Sequence, residues 1–450
     1  MPSARRPRLA AIALAGAVIF GGCTSPSPPE APPAIPGSVD IEALPRGGTV
    51  TMGVLGEPAT LDPFAPEASD LTRALVRPLY PSLYRLLPDG TAVASLADNA
   101  THQGDTVRVT LIDAQWSDDS DITAQDVVAS ARRALSPSGF ARFSRVEATD
   151  DGTITFHGAG EDWQVALATA AYVLPDGRPS REIAGGPLQM ASLTSGLEIA
   201  YAPNPRWFGG DIPLDGVRVQ FIENVEIMIE LLDEGRLDVA AVPSSVNLGA
   251  RLDEMGLEFD AALGWESVLL TFGVDTTTFD ERRWFSAAID RRSIVEGLVR
   301  DEGRLSNALH PRPGAAGAAG PWEERSAPGS YPTTVSIAAP VGDELLGFIQ
   351  RALWEQLNER VELELLTVEA ARFYGGWQRD APADVLVVRA SGAPKLGGAG
   401  AAFRRASILP LAHVETVLAW TGDVAGLAAN PTFDGPLWNV EEWFLEESQG

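Results

Sequence analysis

The chain has 450 residues, 61 acidic against 34 basic side chains, and a formal net charge of −27 at pH 7. So acidic a surface disfavours nucleic acid as a partner and suits solubility outside the cell. The single cysteine, Cys23, leaves nothing for disulfides, so the chain must be held by its core, and at this length it can bury one.

Residues 1–23 read as a targeting segment. Arg5, Arg6 and Arg8 form a basic start, residues 9–20 an apolar run too short to span a bilayer comfortably, and Gly21 and Gly22 precede Cys23. That pattern predicts a lipoprotein signal, cleaved before Cys23, whose thiol then takes lipid. Residues 24–46 are rich in proline and cannot pack, so they form a tether between membrane and domain.

From residue 47 the pattern is that of an α/β protein. Val50, Met52 and Val54 mark a short strand that runs into Glu57-Pro58 and Asp62-Pro63, a proline-fixed turn. Pro88-Asp89-Gly90 separates two apolar runs and predicts a hairpin. The most informative stretch is 107–135. Val107, Val109 and Leu111 alternate as a strand, and an acidic loop follows from Ser117 to Asp121, headed by Trp116. Thr123 and Asp126 then form a capping box for a helix.

Further along, 217–221 alternates as a strand, 225–234 is a helix stopped by Gly235, and Val239 belongs to the next strand. Residues 280–299 predict an amphipathic helix pair. The strand 335–339, the helix 343–359 and the strand 361–365 predict a β-α-β unit, with another strand at 384–388.

Several of these blocks, in order, resemble the peptide/nickel class of extracytoplasmic solute-binding proteins, family 5, which serve ABC importers. The resemblance rests on Trp116-Ser117-Asp118 with Thr123-Ala124 and Asp126-Val127, on Gly185-Gly186-Pro187, on Asn204-Pro205 with Gly209-Gly210, and on Ala288-Ile289-Asp290-Arg291. Asp119 stands where the family usually has glycine. The resemblance implies a bilobal periplasmic-binding-protein-like fold of type II, with an extra inserted subdomain and a shortened second lobe. The expected first lobe comprises 47–75, 184–260 and 414–450, the inserted subdomain 76–183, and the second lobe 261–413.

Such a fold binds solute between its lobes and needs no catalytic group, cofactor or metal. The implied ligand is a peptide or a related small solute, and the implied partners are a permease pair with its ATPases, the protein itself being a lipid-anchored monomer on the outer face of the membrane. By position, Tyr84, Trp116, Trp265, Ser267 and Arg389 are the candidates for lining the cleft, although each is of a type that also serves as ordinary core or surface. Peptide-binding members pair the ligand's amino group with an aspartate just after the strand that here spans 384–388. This chain has Arg389 and Lys395 there instead, so its ligand presents no ammonium group at that point, or is acidic, or the cleft binds nothing. A second reading is therefore a repurposed, transport-inactive lipoprotein acting as an envelope regulator or scaffold.

An enzyme is not expected. His102, His157, His310 and His413 have no metal-ligand spacing, and no G-x-S-x-G or C-x-x-C motif occurs. Asp118, Asp119 and Asp121 lack the glycine and distal glutamate of a calcium loop.

Overall fold

Alternating apolar positions build the strands and 3.6-residue spacing the helices, and a computed structural model shows how they assemble. It describes residues 41–446 apart from 66, 136–142, 151, 171, 246, 274, 299–302, 306–331, 370–371, 374–376, 378–382 and 392–405.

The first strand, β1 (Thr49–Leu55), is followed by helix α1 (Asp70–Val76), which Ser69 and Thr72 cap reciprocally. The predicted hairpin is β2 (Tyr84–Leu86) and β3 (Ala92–Ala94), with Gly90 at φ 82° in its turn. Strands β4 (Ala97–Gln103), β5 (Thr106–Leu111), β6 (Arg145–Ala148) and β7 (Thr153–His157) form a separate antiparallel sheet in the order β4-β5-β7-β6. Helix α2 (Ala124–Ala134) packs on this sheet, and α3 (Trp163–Ala170) completes the inserted subdomain. The capping box at the start of α2 forms as its sequence predicts: the Thr123 amide and hydroxyl donate to Asp126 Oδ2 at 2.9 and 2.8 Å, a type of cap worth about 1 kcal/mol.

Strands β8 (Leu188–Thr194), β9 (Glu198–Pro203), β10 (Gly216–Ile222) and β11 (Val239–Pro243) return to the main sheet, with α4 (Val225–Asp233) and α5 (Leu248–Met255) packed on one face. The long strand β12 (Glu258–Phe272) leads to α6 (Phe279–Ala288), α7 (Arg291–Leu298) and a short strand β13 (Gly303–Leu305). The predicted β-α-β unit is β14 (Thr334–Val341), α8 (Glu344–Leu357) and β15 (Glu362–Glu369), paired in parallel. Strand β16 (Val385–Ser391) and the 13-residue β17 (Ile408–Trp420) follow, and β18 (Val424–Ala425) pairs with β19 (Phe444–Leu445).

The main sheet runs β15-β14-β16-β12-β17-β11-β1-β10-β9-β8, with β13 on β17. Its two ends are two lobes. In the first, β1 lies parallel between β10 and β11; in the second, β14 lies parallel between β15 and β16. Each lobe has its own buried core, around Met52, Val219 and Trp443 in the first and Ile337, Leu353 and Val387 in the second. Among the described residues no helix is long and apolar enough to cross a membrane.

Burial of tyrosines gives the fold a pH signature. Tyr80 is buried, donates from Oη to the Ser180 carbonyl at 2.6 Å, and its hydroxyl is pushed up to about 12 by desolvation. Burial also raises Tyr84, Tyr172 and Tyr201. An unfolded tyrosine ionises near 10, so the folded values lie above the unfolded one. The stability that Tyr80 contributes is complete below pH ~10 and is lost as the pH rises from there through about 12, and the other three act with the same sign. In an alkaline titration, four of the six tyrosines are expected to ionise only as far-UV circular dichroism is lost. Ionisation of all six in folded protein would contradict this.

Candidate ligand-binding cleft

Two antiparallel strands carry the chain between the lobes. The first half of β12 (Glu258 to Leu263) pairs with the last residues of β17, which also pair with β11 of the first lobe. The second half of β12 (Ser267 onward) pairs with the start of β17 and with β16 of the second lobe. Between Leu263 and Ser267 the register slips. A break of this kind bends and twists a strand pair locally, and here it falls where the sheet passes from one lobe to the other. At its far side Ser267 Oγ and His413 Nδ1 are 3.0 Å apart, both side chains buried. Glu415, two residues on, has its carboxyl pushed up by burial.

In open parallel sheets, ligands bind beyond the carboxyl ends of the strands, where loops rather than ladders satisfy the backbone. Those ends in the first lobe are the turns after β1, β10 and β11; in the second they are the turns after β14 and β16. The structure brings the two sets together. Arg389, near the end of β16, donates from Nε to Asp343 Oδ2 at 2.5 Å and from Nη2 to Asp343 Oδ1 at 3.0 Å, and Nη2 also donates to the Ser244 carbonyl after β11 at 2.5 Å. Asp343 is buried and caps α8 by accepting the Leu346 amide at 3.1 Å. Ser245, next to Ser244, is buried too, and its Oγ has no hydrogen-bond partner among the described residues.

The five candidates therefore fall in two places. Ser267 and Arg389 lie at the junction of the lobes, and Trp265 lies on β12 within the register break, its side chain outside the described residues. Tyr84 and Trp116 lie in the core of the inserted subdomain: Tyr84 packs edge-on to Trp163 with ring centres 5.5 Å apart, and Trp116 is 2% exposed. Cys23 and Lys395 lie outside the described residues. Of the turn acids, Glu57 accepts from Ser195 Oγ and the Gly196 amide, and Asp62 pairs with Arg133 at 2.5 Å. Asp343, Ser244 and His413 were not among the sequence candidates. Only the helix-start pattern at Asp343 was visible, and nothing local indicates a partner 46 residues away.

The position of Trp116 follows from how the motifs meet. Gly185 faces its indole, where an added Cβ would sit 2.9 Å from the ring. The amides of Gly185 and Gly186 donate to the Leu79 carbonyl, both at 2.9 Å, and the Ser117 amide donates to the Ala184 carbonyl at 2.8 Å. Asn204 Nδ2 donates to the Gly186 carbonyl at 2.8 Å. The tryptophan, glycine and asparagine motifs thus form one brace joining the inserted subdomain to the first lobe. Asp119 adopts φ 70°, the left-handed conformation that favours the glycine usual there, and pairs with Arg206 at 2.5 Å. Hydrogen bonds from Ser120 lower the Asp118 carboxyl. Among the described residues no group of three or more His, Cys, Asp or Glu is placed to hold a metal.

Two lobes joined by a pair of crossing strands, with loops converging between them, define a binding protein of the type II periplasmic class. The model of bacterial extracellular solute-binding proteins, family 5 (middle), matches residues 91–333, and the chain belongs to that family. A binding protein of Brucella melitensis is 24% identical over a 243-residue alignment that covers 43% of this chain and 38% of that relative, so the match spans well under half of the relative's length. In fold, the chain is similar to the oligopeptide-binding protein AppA of Bacillus subtilis, solved with a nonapeptide (TM-score 0.73, 17% identity, covering 90% of this chain and 100% of that one). It is also similar to NikZ of Campylobacter jejuni, solved with Ni(L-His) (TM-score 0.68, 16% identity, covering 88% and 99%).

Proposed function

We propose that the chain is the extracytoplasmic substrate-binding lipoprotein of an ABC importer, anchored through lipid on Cys23, and that it holds a peptide or related small solute between its lobes for delivery to a permease pair with its ATPases. The observation that carries this reading is the crossing of β12 and β17, with its register break at the junction of the lobes. Two strands that bend there allow one lobe to turn against the other while each keeps its own core. Family membership supports the same reading, and the relatives named above, being binding proteins, lend none to a transport-inactive scaffold.

Within the cleft, Ser267 lines the hinge side and Arg389 the mouth of the second lobe, with Trp265 on the same strand as Ser267. Tyr84 and Trp116 shape the subdomain that flanks it. No catalytic group is called for, since hinge closure with a few polar contacts suffices to select a solute.

Thermal-shift measurement against short peptides, anionic oligopeptides and sugars tests this. A true ligand at 100 times its Kd stabilises by about 2.7 kcal/mol, and Trp265→Ala is expected to reduce the shift. In fractionated cells, Cys23→Ser is expected to move the protein off the membrane. No shift with any of these solutes, where a peptide-binding relative responds, overturns the reading.

A further inference from the structure

We propose that Arg389 is an interlobe latch that holds the cleft shut before any ligand arrives. The proposal takes the space between the lobes to be the ligand cleft, as above. Arg389 and Asp343 belong to the second lobe, Ser244 to the first, and the guanidinium spans the gap: forked onto the carboxylate of its own lobe, it donates at 2.5 Å to the backbone of the other. The arginine side chain is 11% exposed and the aspartate 2%.

That fork changes what Arg389 brings to the cleft. Its charge is balanced by Asp343, so it is not poised as a receptor for a ligand carboxylate. What it offers the opposite lobe is a fixed N–H. A planar guanidinium can face a carboxylate along one edge and still present a donor beyond it, which a lysine ammonium cannot do with the same geometry.

Two neighbouring contacts lie on the same line. Arg251 of α5, held by Glu226 at 2.6 and 3.1 Å, reaches Glu344 at the start of α8 at 3.9 Å. Gly342, at φ 90°, brings its backbone so close to the first lobe that an added Cβ would be 3.0 Å from the Glu223 carbonyl. All these contacts lie at the carboxyl ends of β10, β11, β14 and β16, where a solute would have to pass. Entry of a ligand then requires the Arg389–Ser244 bond to break, and release of the lobes is a step separate from ligand contact.

The test measures lobe separation without ligand. Thr194 and Glu364 are exposed on β8 and β15, the two edge strands of the sheet, and Thr194→Cys with Glu364→Cys in a full-length Cys23→Ser chain gives two labelling sites for single-molecule energy transfer. The unliganded chain is expected to show mainly the short separation. Arg389→Ala is expected to lower the ratio of closed to open molecules roughly tenfold or more, the scale of one lost charge-assisted hydrogen bond, and Arg389→Lys to fall between the two. An unliganded parent chain that is mainly open overturns the proposal whether or not either variant folds, and so does an Arg389→Ala chain that stays closed. Because no solute enters this readout, its failure leaves the ligand-binding test standing, and the reverse holds.

Discussion

Replacing Asp434 by alanine is expected to destabilise the protein by about 3–5 kcal/mol, the range found when one partner of a buried ion pair is removed. Asp434 is 1% exposed, forms an ion pair with Arg77, and accepts the Leu86 amide at 2.5 Å. Arg77 is itself buried, donates to Ser82 Oγ at 2.9 Å and lies 4.4 Å from the Tyr172 ring centre. Without the carboxylate, a guanidinium and an amide are left in a dry site. A second ion pair, Arg85 with Glu441, and the Asn430 amide on the Leu86 carbonyl at 2.8 Å make the same join between the C-terminal segment and β2. Burial raises the Asp434 carboxyl despite the opposing pull of Arg77. Asp434→Asn, which keeps an oxygen for the Leu86 amide, is therefore expected to lose less than alanine. Urea unfolding followed by tryptophan fluorescence separates the two, and equal losses, or a loss under 1 kcal/mol for alanine, would contradict the assignment.

The other large effect is expected at Gly186→Ala, about 3 kcal/mol. A Cβ there would lie 2.3 Å from the Pro78 carbonyl oxygen and 2.9 Å from its carbon, and both are backbone atoms that no rotamer change can move aside. Shifting the glycine turn would also break the amide bonds to the Leu79 carbonyl and the Asn204 bond to the Gly186 carbonyl. Gly160→Ala is the control: nothing lies within 4 Å of the added methyl, so its effect is expected within ~0.5 kcal/mol of the parent in the same urea titration. Equal effects at the two positions would sink the brace.

That brace also shows what the sequence discloses. Trp116, Gly185, Gly186 and Asn204 stand out as motifs, and the strand, capping box and helix of 107–135 follow from periodicity and hydrogen-bonding chemistry that act within a few residues. What the motifs are for does not follow from such local rules. Position in the motif order makes Trp116 and Tyr84 candidates for the cleft, but an aromatic side chain suits a binding wall and a core equally, and it is the contacts of Gly185 and Trp163 that place them in the subdomain core. The pairs that hold the molecule at long range, Arg77 with Asp434 and Arg389 with Asp343, join residues far apart in sequence, so no local pattern announces them. The register break in β12 is likewise a property of three strands together.

The most direct test of a solute-binding role is native mass spectrometry of the protein purified gently from its own cells, before any solute is added. The account predicts a discrete additional mass that is lost on mild unfolding and fits a peptide or other small solute. A single ligand-free species, in a preparation that also gives no thermal shift with the solute panel, would contradict it.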